Sequence, residues 1–334
     1  MFSIAVDAMS GENDPQAAVQ ASLRMARENP EAHFIVAGKT DALTPLLAGA
    51  PPNISAENAD ETVAMDEPPS RAIRRRKTSM WRALSLVAEG RADAAVSAGN
   101  TGTLLGMGML AVGAVQGIQR PAIASFMPNR NLDGGCCLLD LGANMECSAE
   151  MLRQFALMGS ALVSAVRGVE KPRVGLLNVG EENFKGGSHL QQTAALLQES
   201  SGINFAGNVE GFDIYLGDCD VIVCDGFTGN VALKTSEGLA RMISGMIQSS
   251  FRRDALSAMC GVFASPVLAR LRRDMDVRRY NGACMLGMRR LVVKSHGNAD
   301  AAAFYSALNY AARAGRQDLS EAIAAMPSAA PSAA

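Results

Sequence analysis

The sequence predicts an α/β fold of three layers, in which a mostly parallel sheet carries helices on both faces. Eight short apolar runs of strand length recur along the chain, and amphipathic helical patterns fill the stretches between them. Because a helix between two strands returns the chain to its starting edge, consecutive strands are expected to run parallel. The runs span residues 2–6, 34–37, 94–97, 122–126, 137–141, 174–179, 221–224 and 291–294.

The helical patterns repeat apolar residues three and four positions apart, as a single helix face requires. Val19, Leu23 and Ala26 form one such stripe, and Asp14-Pro15 before it predicts an N-cap followed by the first helical residue. A second stripe comprises Leu239, Met242, Ile243 and Met246. Residues 326–334 are rich in Ala, Ser and Pro and are expected to form a disordered tail.

Composition narrows the class of protein. The 334 residues carry a net charge of −2 with one Trp and three His, which gives no sign of a nucleic-acid partner. Seven cysteines without a C-x-x-C spacing argue against a disulfide framework or a zinc site, and favour buried free thiols in a reducing cytoplasm. The N-terminus lacks a basic segment and reaches Asp7 after six residues, unlike a signal peptide.

One uncharged stretch, between Asp93 and Arg120, is long enough for a membrane-spanning helix. It contains the polar cluster Ser97-Ala-Gly-Asn-Thr-Gly102, which a span would have to bury in lipid. A strand, a glycine-rich loop and a buried helix are therefore expected. The pair Gly106 and Gly108 falls inside that helix, so it is not a dinucleotide-binding fingerprint, which follows a strand.

Six predicted strands end in glycine together with polar or charged residues. Ligands of parallel sheets bind beyond the carboxyl ends of strands, and glycine, amide groups and helix N-termini suit an oxyanion such as phosphate. The six segments are therefore expected to converge on one phosphate site. They span residues 7–11, 97–102, 140–144, 178–187, 225–230 and 294–297.

Within these segments the loops 97–102 and 225–230 are the strongest candidates. Lys185 and His296 are candidates for anion contact because of their positions beside glycines. The three strand-end aspartates, Asp7, Asp140 and Asp225, are interpreted as caps and loop acceptors rather than metal ligands. The chain contains neither G-x-x-x-x-G-K-[ST] nor G-x-S-x-G, so neither a Walker-type site nor an acyl-serine intermediate is predicted.

Residues 251–280 differ from the remainder and predict a protruding, basic, amphipathic helical hairpin. Leu256, Met259, Cys260 and Phe263 form one stripe, and Ser265-Pro266 is expected to restart a short helix. An anionic membrane, an acidic protein and a plain dimer contact all remain possible partners. The charged residues are Arg252, Arg253, Arg270, Arg272, Arg273, Arg278 and Arg279 against Asp254, Asp274 and Asp276.

Taken together, the motifs resemble those of the fatty acyl-carrier-protein:phosphate acyltransferases of bacterial phospholipid synthesis, from Asp7 to about Phe304. The first loop departs from that family's Asp-x-Met-Gly-Gly-Asp at Ser10 and Glu12, and Arg290 replaces a small residue. The motifs that carry the resemblance are Ser97-Ala-Gly-Asn-Thr-Gly102, Asp140-Leu-Gly-Ala-Asn144, Leu177-Asn-Val-Gly-Glu-Glu182 with Lys185-Gly186, Cys224-Asp-Gly-Phe-Thr-Gly-Asn-Val231 with Lys234, Tyr280-Asn-Gly-Ala with Leu286-Gly287, and Lys294-Ser-His-Gly297.

The resemblance implies a phosphotransacetylase/isocitrate-dehydrogenase-like fold, with residues 1–320 as a single catalytic domain. It implies a cytoplasmic homodimer, peripherally associated with an anionic membrane, that uses neither cofactor nor metal. Its substrates would be long-chain acyl-[acyl-carrier protein] and inorganic phosphate. The acyl phosphate product would pass to a membrane glycerol-3-phosphate acyltransferase for phosphatidic acid synthesis.

Lys185 and Asn230 are the catalytic residues that the resemblance implies. Phosphate is expected to attack the thioester directly, which requires positioning and charge stabilisation rather than a strong base. The residues expected to contact phosphate or substrate are Asp7, Gly11, Asn100, Thr101, Gly102, Asn144, Glu181, Asp225, Thr228, Gly229 and His296. Alternative functions are a CoA-dependent phosphotransferase of the same fold, a non-catalytic membrane scaffold, and a sugar-phosphate or nicotinamide enzyme.

Overall fold

A computed structural model describes residues 2–131, 134–274, 281–315 and 319–324. Eleven strands form one sheet in the order β3-β2-β1-β4-β11-β10-β5-β6-β9-β7-β8. The strands are β1 Ser3–Asp7, β2 His33–Gly38, β3 Ile54–Asn58, β4 Ala94–Ser97, β5 Ala122–Met127, β6 Cys136–Leu139, β7 Arg173–Leu177, β8 Asn204–Val209, β9 Val221–Val223, β10 Ala283–Leu286 and β11 Leu291–Lys294. Each of the eight predicted runs coincides with a strand to within a few residues.

Helices connect most of these strands. They are α1 Gln16–Glu28, α2 Thr40–Leu46, α3 Pro69–Ala72, α4 Ser79–Ala88, α5 Thr101–Ala111, α6 Ala149–Arg167, α7 Ser188–Glu199, α8 Asp213–Leu216, α9 Gly226–Phe251, α10 Ala255–Asp274, α11 Ala301–Gly315 and α12 Leu319–Ala324. Pro15 precedes α1 rather than beginning it, and the Asp14 carboxylate accepts from the Ala18 N–H at 3.3 Å, as a cap does.

The sheet confirms the three-layer, mostly parallel prediction. Alternate residues along β1 enter two apolar clusters, Ile4 and Val6 on one face and Ala5 on the other. Helices α1, α6 and α11 contribute buried residues to the first cluster, and α4 and α5 contribute to the second. Both faces of the sheet are thus covered, which explains why its central strands are apolar throughout.

The direction of the strands differs from the prediction in the middle of the sheet. The pairs β11–β10, β10–β5 and β5–β6 are antiparallel, whereas the other seven pairs are parallel. Consequently β1–β5 and β11 run one way and β6–β10 run the opposite way. The expectation that six carboxyl ends meet at one edge is therefore wrong. The carboxyl ends of β1, β4 and β11 lie on one side of the sheet, which we call the first edge. The carboxyl ends of β6, β7 and β9 lie on the opposite side, which we call the second edge.

Three strands, β3, β8 and β10, were not evident from the sequence. β3 and β8 are the two outer strands of the sheet, and they carry Glu57, Asn58 and Asn204 at partly or fully exposed positions. A strand at the edge of a sheet is more exposed to solvent and therefore carries polar residues. It lacks the apolar run by which the other strands were recognised. β10 is only four residues long and pairs antiparallel on both sides.

The predicted hairpin is a different helix pair. α10 is one helix that continues through Pro266, so no short helix restarts there, and its neighbour is the 26-residue α9. The turn lies between Phe251 and Ala255, and a Cβ at Gly261 would stand 2.9 Å from the Phe251 ring. Residues 275–280 and 326–334, which include Arg278, Arg279 and the predicted tail, lie outside the described residues.

Both helices expose apolar side chains rather than burying them. The α9 stripe predicted from Leu239, Met242 and Met246 faces outward, and Phe263 on α10 is 79% exposed. Within the described residues, no helix is long and apolar enough to cross a membrane. All seven cysteines are free, and five of them are buried.

Candidate functional site

At the first edge of the sheet, hydrogen bonds join the ends of β1 and β4. The Ser97 hydroxyl donates to Asp7 Oδ2 at 2.6 Å and accepts from the Gly99 N–H at 3.1 Å. Asp7 also accepts from the Met9 N–H at 3.3 Å. Asp7 is fully buried, so its carboxylate fixes both loops. It acts as the loop acceptor that the sequence predicted.

The loop after β4 leads into α5. Asn100 is the N-cap: its Oδ1 accepts from the Thr103 N–H at 3.1 Å, while its Nδ2 donates to the Met65 carbonyl at 3.1 Å. Thr101 and Gly102 occupy the first turn. A Cβ at Gly102 would lie 2.9 Å from the Pro69 ring, so glycine is needed there for a close approach of the segment that precedes α4.

The loop after β1 closes against the loop after β11. Gly11 N–H donates to Asp14 at 2.8 Å, and Glu12 N–H donates to the Gly297 carbonyl at 2.8 Å. The departures at Ser10 and Glu12 therefore leave the loop tied to its neighbours. Ser10 Oγ is buried and has no hydrogen-bond partner among the described residues.

Lys294, the last residue of β11, places its ammonium group among backbone carbonyls. Its Nζ donates to the carbonyls of Ala98, at 3.3 Å, and Ser295. Burial, and after it the nearby ammonium of Lys234, lower the pKa of Lys294 from 10.5 to about 8 against the opposing effect of Asp7. An ammonium held in this way is ready to gain an anionic partner.

His296 lies opposite two residues of α9. Its Nε2 is 3.4 Å from Glu237 Oε1 and 3.4 Å from Lys234 Nζ, and Lys234 also contacts Glu237 at 3.0 Å. His296 and then Lys234 lower the pKa of Glu237 from 4.5 to about 2 despite the opposing effect of burial. His296 Nδ1 is buried without a partner among the described residues. Two cations, a histidine and one carboxylate thus form a cluster after β11.

At the second edge, the loop after β6 is built around Asp140. Its two oxygens accept from the N–H groups of Ile123, Ala143 and Asn144 at 2.7–3.0 Å. Burial nevertheless raises the pKa of Asp140, and these hydrogen bonds oppose that rise. Asn144 Nδ2 donates to Asp140 and to the Pro121 carbonyl, both at 2.9 Å, so its two amide hydrogens shape the loop.

The loop after β9 begins α9. Asp225 caps the helix, accepting from the Thr228 N–H at 2.8 Å and the Thr228 hydroxyl at 2.9 Å. A Cβ at Gly229 would overlap the Asp140 carbonyl oxygen, so the first turn of α9 lies directly on the Asp140 loop. Asn230 comes next: it is exposed, and its amide nitrogen would be 3.6 Å from a Cβ at Gly142.

Lys185 belongs to the loop after β7, the strand beside β9. Asn178 Nδ2 donates to its carbonyl at 3.2 Å, and its own N–H donates to the Glu182 carbonyl at 2.9 Å. Its side chain packs on Gly180, and Nζ lies 5.8 Å from the centre of the Phe184 ring. In the described chain no carboxylate pairs with this ammonium group, and the Glu181 side chain is exposed.

Helix α9 joins the two edges. Asn230, Lys234, Glu237 and Arg241 are spaced four, three and four residues apart and therefore share one helix face. Asn230 lies at the second edge and Lys234 contacts His296 of the first, and only about 6 Å of helix axis separates them. The strand ends that the reversed directions separate thus border one continuous site along α9.

Sequence reasoning did not assign Lys234, Glu237 or Lys294 to the site, although Lys234 and Lys294 belong to the quoted motifs. The available signal was the polar stripe of α9, which repeats at helical spacing within an otherwise apolar segment. The apolar stripe of the same helix masks this signal, because it is the more prominent pattern in the sequence. In the structure the apolar stripe is exposed and the polar stripe borders the site.

Comparisons with known proteins show the family of the chain and its fold. The model of the family described as "Fatty acid synthesis protein" matches residues 2–322. A phosphate acyltransferase of Halorhodospira halophila is 46% identical over 96% of this chain and 95% of its own, and one of a Polaromonas species is 48% identical over 96% and 88%. The chain belongs to the phosphate acyltransferase family.

The chain is therefore a transferase enzyme. Its fold matches a solved phosphotransacetylase of Streptococcus pyogenes, with a TM-score of 0.62, 17% identity, and coverage of 96% of this chain and 94% of the other. At that identity the likeness concerns the fold alone. The resemblance that the strand-end motifs predicted is confirmed, and so is the phosphotransacetylase-like architecture.

Proposed function

We propose that the enzyme transfers a long-chain acyl group from the thioester of acyl-[acyl-carrier protein] to inorganic phosphate, forming an acyl phosphate. The observation that carries the proposal is the cluster of Lys234, Lys294 and His296 one helical turn from Asn230. Cationic groups of this kind suit a phosphate, and an amide beside them suits a carbonyl oxygen. The names of the phosphate acyltransferase relatives support acyl transfer involving phosphate.

In the proposed reaction, a phosphate oxygen attacks the thioester carbonyl carbon. The new C–O bond forms, the C–S bond breaks, and the pantetheine sulfur leaves as a thiolate. Phosphate is anionic at neutral pH and a thiol of pKa about 8.5 is a good leaving group, so neither a strong base nor a strong acid is required. Alignment and stabilisation of the developing oxyanion supply the catalysis.

We assign the phosphate to the first edge. There the ammonium of Lys234 lowers the pKa of Lys294, Glu237 pairs with Lys234 at 3.0 Å, and Asp7 partly offsets the charge of Lys294. The unpartnered Ser10 Oγ and His296 Nδ1 are two further polar atoms at this edge. A phosphate would provide acceptors for the lysines and relieve their mutual repulsion.

The thioester carbonyl is assigned to the second edge. The Asn230 amide donates to the carbonyl oxygen, and the unpaired Lys185 ammonium stabilises the charge that develops on it. Asn100 retains one free amide hydrogen, which is available for phosphate. Asp7, Gly11, Asn144, Asp225, Thr228 and Gly229 act by shaping the loops, since their polar groups are already engaged or their backbones are in close contact.

The remaining expectations extend this proposal. Residues 1–320 act as one catalytic domain in the cytoplasm, and the acyl phosphate serves a membrane glycerol-3-phosphate acyltransferase in phosphatidic acid synthesis. The exposed apolar residues of α9 and α10 support a homodimer contact or peripheral binding to an anionic membrane. No cofactor enters the proposed chemistry.

A comparison of thioester donors tests the proposed substrate. The purified enzyme is given long-chain acyl-[acyl-carrier protein] or the matching acyl-CoA, each with and without phosphate, and thiol release is followed. We expect phosphate-dependent release with a higher kcat/KM for the carrier thioester. Release from acyl-CoA alone would replace this proposal with a CoA-dependent phosphotransferase.

A further inference from the structure

The segment from Pro68 to Ala88 holds a concentration of positive charge found nowhere else among the described helices and loops. It contains six cationic residues and no acidic residue, in a chain whose net charge is −2. The cations are Arg71, Arg74, Arg75, Arg76, Lys77 and Arg82. Proteins place charge in this way when it meets an oppositely charged partner.

Two of the six cations are used inside the chain. Arg75 contacts Glu61 at 2.8 Å and Glu67 at 2.7 Å, and Arg82 contacts Glu57 at 2.8 Å and Glu89 at 3.1 Å. These pairs hold the segment in place. Because these ion pairs occupy the carboxylates near the segment, those carboxylates do not neutralise the remaining four cations.

The remaining four cations face solvent. Arg71, Arg74, Arg76 and Lys77 are exposed, and in the described parts of the chain none of them has a carboxylate within 4 Å. Arg76 lies over the Trp81 ring at 5.2 Å, which leaves its charge outward. We call these four residues the basic rim.

The basic rim is fixed beside the site. Pro69 packs on Gly102 and Ile73 packs on Gly106, so the segment lies in a groove that two glycines one turn apart open along α5. Met65 accepts from Asn100 and packs against Gly297. The segment that carries the rim is therefore anchored along residues 101–106, the first six of α5, whose preceding loop borders the proposed phosphate site.

We propose that the basic rim is the docking surface for an acidic carrier protein that delivers the acyl thioester. This inference rests on the proposed function. The rim lies at the margin of the site and not within it. This position suits a surface that binds the body of a carrier while the carrier's flexible arm enters the site. Charges spread over a margin steer encounter and orient the partner.

A membrane is a poorer partner for this surface. Peripheral binding combines basic residues with exposed apolar ones, as α10 does with Phe263 and Val267. The rim exposes no large apolar side chain, because Ile73 is packed on Gly106 and Trp81 is half-buried under Arg76. A purely electrostatic surface favours a soluble acidic protein.

The test compares Arg71→Glu/Arg74→Glu with the matched control Arg252→Glu/Arg253→Glu, which reverses two exposed arginines between α9 and α10. Initial rates are measured with acyl-[acyl-carrier protein] and with acyl-pantetheine, at low and high salt. We expect the rim variant to raise KM for the carrier substrate by about tenfold at low salt, with kcat unchanged. The control variant and turnover of acyl-pantetheine should match the wild type.

Salt provides a second readout. The wild-type KM for the carrier should rise with ionic strength, and the rim variant should lose most of that dependence. An unchanged KM in the rim variant, or an equal rise in the control variant, would overturn the docking surface while leaving the proposed function intact. A wild-type enzyme that does not accept the carrier thioester at all would overturn both.

Discussion

Lys294 carries the largest electrostatic penalty that we identify within the site. Lowering its pKa from 10.5 to about 8 makes its charged form roughly 3 kcal/mol less favourable in the folded protein. Residues that are kept at such a cost commonly serve binding or catalysis. In this enzyme the charge would be compensated by phosphate.

Replacing Lys294 with Met should therefore separate stability from function. We expect Lys294→Met to keep or raise the melting temperature at pH 7 while raising KM for phosphate by at least tenfold, because the variant removes a buried charge and a phosphate partner together. Steady-state kinetics and thermal unfolding measure the two effects. A drop in melting temperature of many degrees would mean that Lys294 is instead a structural residue.

The sign of the pH dependence follows from the lowered pKa. Between pH 8 and 10.5 the unfolded state binds more protons at Lys294 than the folded state, so the unfolding free energy rises with pH in that window. Relative to Lys294→Met, the wild type should gain about 1–2 kcal/mol between pH 8 and 9.5. Parallel curves for the two proteins would contradict the burial of this ammonium group.

The contribution of Glu237 to the unfolding free energy should depend on pH in the acidic range. Its folded pKa of about 2 lies below the ordinary 4.5, so its contribution is complete above pH 4.5 and is lost as pH falls towards 2. The side chain is only 14% exposed, and we expect Glu237→Gln to lower the unfolding free energy by about 1–2 kcal/mol at pH 7. Denaturant unfolding at pH 7 and pH 3 should show the difference shrinking at the lower pH.

Lys185 is the residue whose removal should affect turnover most. Lys185→Ala should reduce kcat by about 10²–10³, the usual loss for one group that stabilises an oxyanion. Lys171→Ala, which removes an exposed lysine just before β7, is the matched control and should have wild-type turnover. A Lys185 variant that turns over normally would remove this lysine from the mechanism.

At the scale of elements, α9 determines whether the two edges of the sheet form one site. Its first turn lies against the Asp140 carbonyl through Gly229, and its fourth turn reaches His296 through Glu237. The helix also packs the partly buried Ala232 and Leu233 against the second apolar cluster. Any shift of the helix would move Asn230 and Lys234 together.

Two glycines of α9 offer a paired test of this contact. A Cβ at Gly229 has no room beside Asp140, whereas a Cβ at Gly238 meets nothing within 4 Å. Gly229→Ala should displace the helix and abolish most activity. Gly238→Ala should stabilise the protein by about 0.5–1 kcal/mol with activity retained, since alanine favours helix. Activity retained in Gly229→Ala would show that the helix does not set the site.

At the scale of the whole molecule, local patterns predicted most of the fold. Apolar runs marked eight of the eleven described strands, and Asp225 was recognisable as a residue that caps a helix. Strand direction was not predictable in the same way. The short connections β5–β6 and β10–β11 reverse the chain, and β10 pairs antiparallel with β5, a strand far away in the sequence. The edge strands β3 and β8 were missed because exposure leaves them polar.

The candidate site was predictable in parts. The loops carrying Asp7, Asn100, Asn230 and His296 were found from glycine and amide residues at strand ends. The arrangement of these loops was not predicted. The sequence suggested that they share one edge of the sheet, whereas in the structure they lie at two edges that α9 connects. Lys234 and Lys294 are 60 positions apart in the sequence, and only the structure shows that they lie close together at the site.

The most direct test of the central proposal follows the oxygen atoms of phosphate. The enzyme is incubated with long-chain acyl-[acyl-carrier protein] and phosphate labelled with ¹⁸O at every position. The mass of the hydroxylamine-sensitive product is then measured by mass spectrometry. Direct attack predicts an acyl phosphate that retains every labelled oxygen, formed together with free carrier thiol. Free fatty acid containing oxygen from water, with the labelled phosphate unconsumed, would contradict acyl transfer to phosphate.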